Sequence, residues 1–552
     1  MAFDLLVTNA RIVDGTGKKA YDGSVGVKDG RIAAVGSVSG DAKRVIDANG
    51  QVIAPGFIDA HTHYDAQLVW DPSIDPATKH GITTILMGNC GFTLAPVRPK
   101  DRDFLMGVFS TTEDVPKDVL IKNIPISWET FPEYMSFVER SPLGVNVVTQ
   151  VGHTALRRYV MGESGSEREA TPEEVEAMVR LAEEAMDAGA AGVSSSFTPA
   201  HIDETGEHVP SFFAAKSETL KLAEAVGRKG KRLVSINPFS KRDGLSDEDR
   251  TFLADLGKVS GAVVSWNDFS QSAPNWEKTL TFMEGEQARG NKIYAVASSQ
   301  PRESRFSLSK ISSLVSGYKV WIDFCKLEES EQMKALADPA WRGPLAEFWI
   351  KYIRYFNNMI VEKVSNPALK HLEGRGLPEI AEERGVGVVD AMFDVALEDN
   401  VRTFFMMRNK SADETNAERI LKSPACLVGI SDGGAHLQTF SGADYPTYFL
   451  QHWVKDKQSF TLEEAVAALS SEVAEFVGLT DRGTLEVGKA ADMVIFDPDE
   501  VGPGLLETLD FPGGSIRLAK RALGVPHVIV NGVSIIENGE PTGAAPGRLL
   551  RA

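Results

Sequence analysis

Apolar and polar positions change period along the chain. The first 54 residues alternate in short runs, Leu5-Leu6-Val7, Arg11-Ile12-Val13, Val25-Gly26-Val27, Arg31 to Val35 and Arg44-Val45-Ile46, separated by Asp14-Gly15 and Asp29-Gly30. Period-two runs around Asp-Gly pairs predict β-hairpins. The C-terminal end repeats the pattern at Ala491 to Phe496, Val528-Ile529-Val530 and Val533 to Ile536, around Asn531-Gly532. Neither end is large enough to bury a core alone. Residues 1–54 and 481–552 are therefore expected to pair into one small β-sandwich domain.

Between them, over 55–480, strands alternate with helices. Thr171 as N-cap, Pro172, a capping box to Glu174 and apolar Val175, Met178, Val179, Ala182 and Met186 predict a helix that ends at Gly189. Thr461 and Glu464 open another, with Ala465, Ala468, Leu469 and Val473 on one face. Eight apolar runs end in polar or Gly/Pro-rich stretches near His63, Cys90, His153, His201, Asn237, Asn267, Gln300 and Asp432. Strand–helix alternation with short loops implies a parallel sheet, and eight units imply an α/β fold, a (β/α)8 TIM-like barrel with its chemistry at the strands' C-terminal ends. Residues 303–400 interrupt the alternation after the seventh strand, with aromatic helical stretches such as Trp341 to Phe356. They form a lid or pocket wall, or pack their aromatics into a core of their own.

Composition narrows the function. At 552 residues, 43% hydrophobic and 24% charged, the chain reads as a soluble globular protein of a large and a small domain. A formal net charge of −19 opposes nucleic acid and anionic membranes as partners. No apolar run is long enough for a membrane span, and no basic segment precedes an apolar one at the N-terminus, so no secretory signal is expected. Three cysteines, Cys90, Cys325 and Cys426, form no disulfide framework and suit a reducing cytoplasm.

Candidate chemistry centres on His61-Thr62-His63, which follows Pro55-Gly56 and the apolar Phe57-Ile58. Residues two apart on a strand face the same side, so the two imidazoles make half of a metal site. The bland alternative is one histidine satisfied in the core and one exposed.

Ala54 to His63 resembles the first barrel strand of the amidohydrolase superfamily, Gly429 to His436 its last, and Gly483 to Asp497 the return into its β domain. Gly81 to Phe92, with Gly88-Asn89-Cys90-Gly91, and Val151 to Arg157 are similar to the N-acyl-D-amino-acid deacylase (D-aminoacylase) branch. The resemblance implies a metal-dependent hydrolase with Cys90 as a ligand from the second strand. Two departures follow. The fifth and sixth strands end in Ser235-Ile236-Asn237-Pro238 and Ser265-Trp266-Asn267-Asp268, where the superfamily usually carries histidines, and Gly192 to Thr198 lacks the lysine of the fourth strand.

The expected centre is therefore one Zn²⁺ in preference to two, held by His61, His63 and Cys90 with Asp432 as a further ligand or as general base and acid. His153, His201, Arg302 and His436 are the substrate candidates: Arg302 through a substrate carboxylate, His153 and His201 by donating to a developing oxyanion or replacing a missing ligand, His153 also as a second-shell group, and His436 by orienting Asp432 or binding substrate. The expected reaction is hydrolysis of a C–N amide bond in a small N-acyl substrate. Other N-acyl compounds, cyclic amides and carbamates are alternatives, and so is a barrel that has lost catalysis and binds a ligand. The glycine-rich pieces lack phosphate-loop spacing, so no nucleotide is expected. A homo-oligomer is compatible with the sequence.

Overall fold

The computed structural model describes residues 2–551 except 311–314, 316–317, 352, 409–413 and 513–514. Its centre is eight strands: β1 (Phe57–Asp59), β2 (Ile82–Met87), β3 (Asn146–Thr149, resumed at Val151–Gly152), β4 (Gly192–Ser196), β5 (Leu233–Asn237), β6 (Val263–Phe269), β7 (Ile293–Ser298) and β8 (Cys426–Gly429). β1, β2 and β3 hydrogen-bond in that order, the resumed end of β3 continues through β4 to β8, and every pairing is parallel. Six of the eight are buried along their whole length. That is the pattern of a parallel sheet covered by helices, and it explains why these strands read as continuous apolar runs.

Helix Pro172–Asp187 forms as its sequence predicts. The Glu174 N–H donates to Thr171 Oγ1 at 3.3 Å, and the Thr171 N–H donates to Glu174 Oε2 at 2.8 Å. Gly189, at φ +112°, ends it. The segment opened by Thr461 divides at Ser470 into Leu462–Leu469 and Ser471–Val477, because the Ser470 backbone leaves the helical region while its hydroxyl donates to Val466 O at 2.5 Å.

Both chain ends build one nine-stranded sheet. Its junction is the antiparallel pairing of Val52–Pro55 with Met493–Phe496. Alternation divides the junction strand between two cores. Met493 and Ile495 pack with Leu5, Val7, Val25 and Val27, whereas Val494 and Phe496 face the main body with Val52 and Ala54. A hairpin of Gly502–Phe511 and Ser515–Leu523 lies outside this sheet. The buried His80 braces it, with ring nitrogens 2.7 Å from Thr447 Oγ1 and 2.9 Å from Lys520 O.

After β7 the chain forms a separate antiparallel sheet of Glu303–Phe306, Phe404–Arg408 and Met359–Lys363. Phe306, Trp321, Phe324, Trp349, Phe393 and Phe405 make a core of their own there. The aromatics of this insertion thus serve its own packing. Among the described residues no helix is long and apolar enough to cross a membrane.

Candidate metal centre and active site

The site is assembled from three tight turns at strand ends. Beyond β1, Thr62 donates both its N–H and its hydroxyl to Leu86 O on β2, at 3.2 and 2.8 Å, and the His63 N–H donates to Gly433 O at 2.7 Å. These bonds leave both imidazoles on the inner side, 2% and 3% exposed. Cys90 follows β2 at φ +55°. The neighbouring Gly88, at φ +77°, has no room for a Cβ, which would sit 2.5 Å from Gln150 O. Beyond β8, Ile430, Asp432 and His436 all have positive φ, and a Cβ on Gly434 would sit 2.5 Å from His63 O. Left-handed backbone at a branched residue such as Ile430 is costly and concentrates at functional sites.

The turns bring the donor atoms of His61, His63 and Cys90 within 4.8 Å of one another, all buried. Cys90 Sγ is 3.6 Å from His61 Nε2, Asp432 Oδ1 is 3.3 Å from the same nitrogen, and Asn267 Nδ2 is 3.4 Å from it. Asp432 Oδ1 is 3.9 Å from His63 Nε2. Asn237 Nδ2 donates to Cys90 Sγ at 3.5 Å and Asn267 Nδ2 at 3.8 Å. Below this layer the interior is polar but tied together: Gln150 donates to Asn89 Oδ1 at 3.1 Å and accepts from Ser235 Oγ at 2.8 Å, and Ser265 donates to Ser235 at 2.9 Å.

This donor set fits a zinc-type cation. Two imidazoles and a thiol within one small volume are the ligand types that such an ion selects. His63 Nδ1 is also buried without a hydrogen-bond partner, the Glu113 carboxylate lying 3.3 Å away off the hydrogen-bond direction. The electrostatics agree. Burial opposes charge throughout, but His61 and His63 pull the Cys90 thiol down to about 5. Against the same burial, Cys90 and Asp432 raise His61 to about 9, and Glu113 and Cys90 raise His63 to about 10. Asp432, despite its burial, is held well below the usual carboxylate range by His61 and Arg302. Burial pushes Glu113 up to about 8.

Of the substrate candidates, Arg302 reaches Asp432 Oδ2 at 2.6 Å with Nη2 and stacks over Phe440 at 4.1 Å. His436 follows the same turn, its N–H donating to Glu113 O at 2.5 Å, and burial with the nearby Arg302 lowers it to about 3. His201 Nδ1 meets Ser196 Oγ at 2.8 Å, and its electrostatic neighbours include His63, His436 and Asp432. His153 is placed otherwise. It starts helix His153–Met161, is fully buried, and spends Nδ1 on Ser195 Oγ at 2.8 Å and Nε2 on Glu218 Oε1 at 2.6 Å. Glu218 also binds Arg157 at 2.5 Å. With both nitrogens engaged, His153 has no atom left for a substrate.

Three neighbours escaped the sequence reading as participants: Glu113, Asn237 and Asn267. Glu113 caps helix Arg102–Thr112 in a stretch without motif, and only the fold brings it to His63. Asn237 and Asn267 stood in plain view as missing histidines, and their amides turn out to face the Cys90 sulfur.

Parallel strands with a buried histidine–cysteine–aspartate cluster at their ends are the setting of a metal-dependent hydrolase. The chain belongs to the amidohydrolase family, whose model matches residues 44–220 and 369–536. It is a hydrolase of C–N bonds other than peptide bonds. It is 29% identical to the D-aminoacylase of Alcaligenes xylosoxydans xylosoxydans, over 99% of this chain and 97% of that one, and 27% identical to that organism's N-acyl-D-glutamate deacylase, over 99% and 96%. Among solved structures it resembles a D-aminoacylase described by a binuclear metal centre with one-metal activation and second-metal attenuation, at TM-score 0.68, 25% identity and full coverage of both chains. The fold is shared with the N-acyl-D-glutamate deacylase of Bordetella bronchiseptica complexed with zinc and a phosphonate inhibitor, at TM-score 0.69, 24% identity and full coverage.

Proposed function

We propose that this amidohydrolase is a deacylase of N-acyl amino acids, with the D configuration favoured by its relatives, built on a single zinc ion held by His61, His63 and Cys90. The observation that carries the reading is the convergence of these three donors on the side of Asp432. A zinc ion bound there supplies Lewis acidity toward water and the substrate carbonyl. Asp432 supplies the proton transfer. Its Oδ2 is paired with Arg302, which keeps the carboxylate ionised at neutral pH, while Oδ1 faces the histidines. From that position it takes a proton from the attacking water and returns it to the leaving nitrogen. His201 and His436, both lowered below neutrality by burial, act as neutral hydrogen-bonding groups toward the acyl carbonyl. His153 positions β4 and Glu218 instead. Asn237 and Asn267 occupy the strand ends where further ligands would stand, which favours one ion over two.

We read the eight strands as a closed (β/α)8 barrel over about 55–480, with the insertion on its catalytic side and a β domain from 1–54 and 481–552. The parallel bridge between Thr62 and Gly433, which joins the ends of β1 and β8, supports closure. The sparse set of Cys90, Cys325 and Cys426, none of them in a disulfide, supports a cytoplasmic setting. The full-length likeness to deacylases favours an active enzyme over a lapsed binding barrel. The test is metal analysis with hydrolysis of N-acetyl-D- and L-amino acids before and after chelation. One zinc per chain, loss of activity on chelation and recovery with zinc are expected. Asp432→Asn should lower kcat by about 10²–10⁴-fold with folding intact. Chelator-insensitive hydrolysis would contradict the reading.

A further inference from the structure

The fourth strand, β4, carries three consecutive serines, all buried, and each hydroxyl has a different partner. Neighbouring side chains on a strand point to opposite faces. Ser195 meets His153 Nδ1 at 2.8 Å on one face, and Ser196 meets His201 Nδ1 at 2.8 Å on the other. Ser194 shares the face of Ser196 but spends its hydroxyl on backbone: it donates to Gly88 O at 2.5 Å and accepts the Gly91 N–H at 3.0 Å. Those two glycines bracket Asn89-Cys90, so one hydroxyl closes the turn that carries the thiol. Gly88, Cys90 and Gly91 all have positive φ, at +77°, +55° and +81°. Glycine adopts that hand freely, whereas cysteine keeps it only where its surroundings impose it. At the entrance the Gly88 N–H donates to Asp65 Oδ2 at 3.2 Å, and Asn89 Nδ2 donates to Thr62 O at 3.1 Å. At the exit Gly91 O accepts the Thr154 N–H at 3.1 Å. These contacts fix the two ends separately, and Ser194 bonds to both. So held, the turn places Cys90 Sγ 3.6 Å from His61 Nε2.

We propose that Ser194 is a positioning residue for Cys90: its hydroxyl staples Gly88 to Gly91 and so presents the thiol to the two histidines before a cation arrives. The inference rests on the reading of His61, His63 and Cys90 as a metal centre and adds how the sulfur is kept in place. Gly88 and Gly91 are buried, so without the hydroxyl the Gly88 carbonyl and the Gly91 N–H each lose a partner where water does not replace it. The peptide between Cys90 and Gly91 then rotates toward other partners, because glycine accepts either hand of φ. That rotation releases Cys90 from its left-handed conformation and turns the thiol off the histidines. The imidazoles stay in place, held by the Thr62 bonds to Leu86 O and the His63 bond to Gly433 O. Loss of Ser194 therefore acts on the sulfur ligand and not on the nitrogen ligands.

The test titrates the metal-free full chain with cobalt(II), whose near-ultraviolet thiolate charge-transfer band reports sulfur ligation directly. Wild type, Ser194→Ala, Ser194→Thr and Ser195→Ala are compared. Ser195→Ala removes a buried hydroxyl from the same strand without touching the Cys90 turn, so it reads the purely structural cost. In Ser194→Ala the thiolate band should fall by half or more, and cobalt affinity should weaken by about 10–100-fold. Ser194→Thr, which keeps the hydroxyl, should restore the band, and Ser195→Ala should leave it intact. An unchanged band in Ser194→Ala, or an equal loss in Ser195→Ala, would overturn the staple. If Ser194→Ala does not fold, hydrogen exchange at the Gly91 N–H of the metal-free wild type decides: protection supports the staple, and exchange at the solvent rate overturns it. If the wild type shows no thiolate band, the metal-centre reading falls, and the same amide judges Ser194 alone. Exchange about tenfold faster in Ser194→Ala than in wild type supports its hold on the turn, and equal exchange refutes it.

Discussion

Cys90 Sγ and His61 Nε2 lie 3.6 Å apart, and the same imidazole nitrogen has Asp432 Oδ1 at 3.3 Å on its other flank. One nitrogen carries at most one proton, so it cannot satisfy a thiolate and a carboxylate together. A shared cation would relieve that crowding, and the donor types present fit one.

Protons should therefore leave when zinc enters. With His61 raised to about 9 and His63 to about 10, both imidazoles are protonated at pH 7.5 without metal, while Cys90 at about 5 is already a thiolate. Ligation requires neutral imidazoles, so binding releases about two protons and the apparent affinity climbs as pH rises from 6 toward 9. Calorimetry in buffers of different ionisation enthalpy measures the release. Enthalpies that do not depend on buffer would contradict it.

Glu113 should matter to the metal without touching the reaction. Its carboxyl lies 3.3 Å from His63 Nδ1 and its backbone oxygen accepts the His436 N–H. Glu113→Ala removes the carboxyl that faces His63 electrostatically and should weaken zinc affinity by about 10–100-fold, the usual cost of losing an outer-shell partner. Competition against a chromogenic chelator reads this directly, and unchanged affinity would remove Glu113 from the site.

The role of His153 is checked on stability. Glu218→Ala leaves His153 and Arg157 buried without their shared partner and should cost about 3–5 kcal/mol. Denaturant unfolding measures it. A loss below about 1 kcal/mol would show that the network contributes little and reopen the question of what His153 does.

Legibility followed how local each signal was. The capping boxes at Thr171 and Thr461 and the buried strands were readable because they depend on neighbours in sequence. His61, His63, Cys90 and Asp432 could be proposed as a set because each follows a strand, and parallel strands deliver their ends to one side, where the structure brings the four side chains together. His153 was misread for the opposite reason. It too ends a strand, but its partners Ser195 and Glu218 belong to later elements, and nothing local shows that both nitrogens are taken. Glu113 caps a helix far along the chain from β1, and its place beside His63 is set by tertiary packing alone. The Gly502–Leu523 hairpin hid behind its glycines and proline, which argue against a strand when read in isolation.

The most direct test of the account is X-ray absorption at the zinc edge of the reconstituted protein, with metal content measured on the same sample. The prediction is one zinc per chain with one sulfur scatterer at about 2.3 Å and nitrogen or oxygen scatterers at about 2.0–2.1 Å, the sulfur vanishing in Cys90→Ser. A shell of nitrogen and oxygen alone, or two ions per chain, would contradict a single centre held by His61, His63 and Cys90.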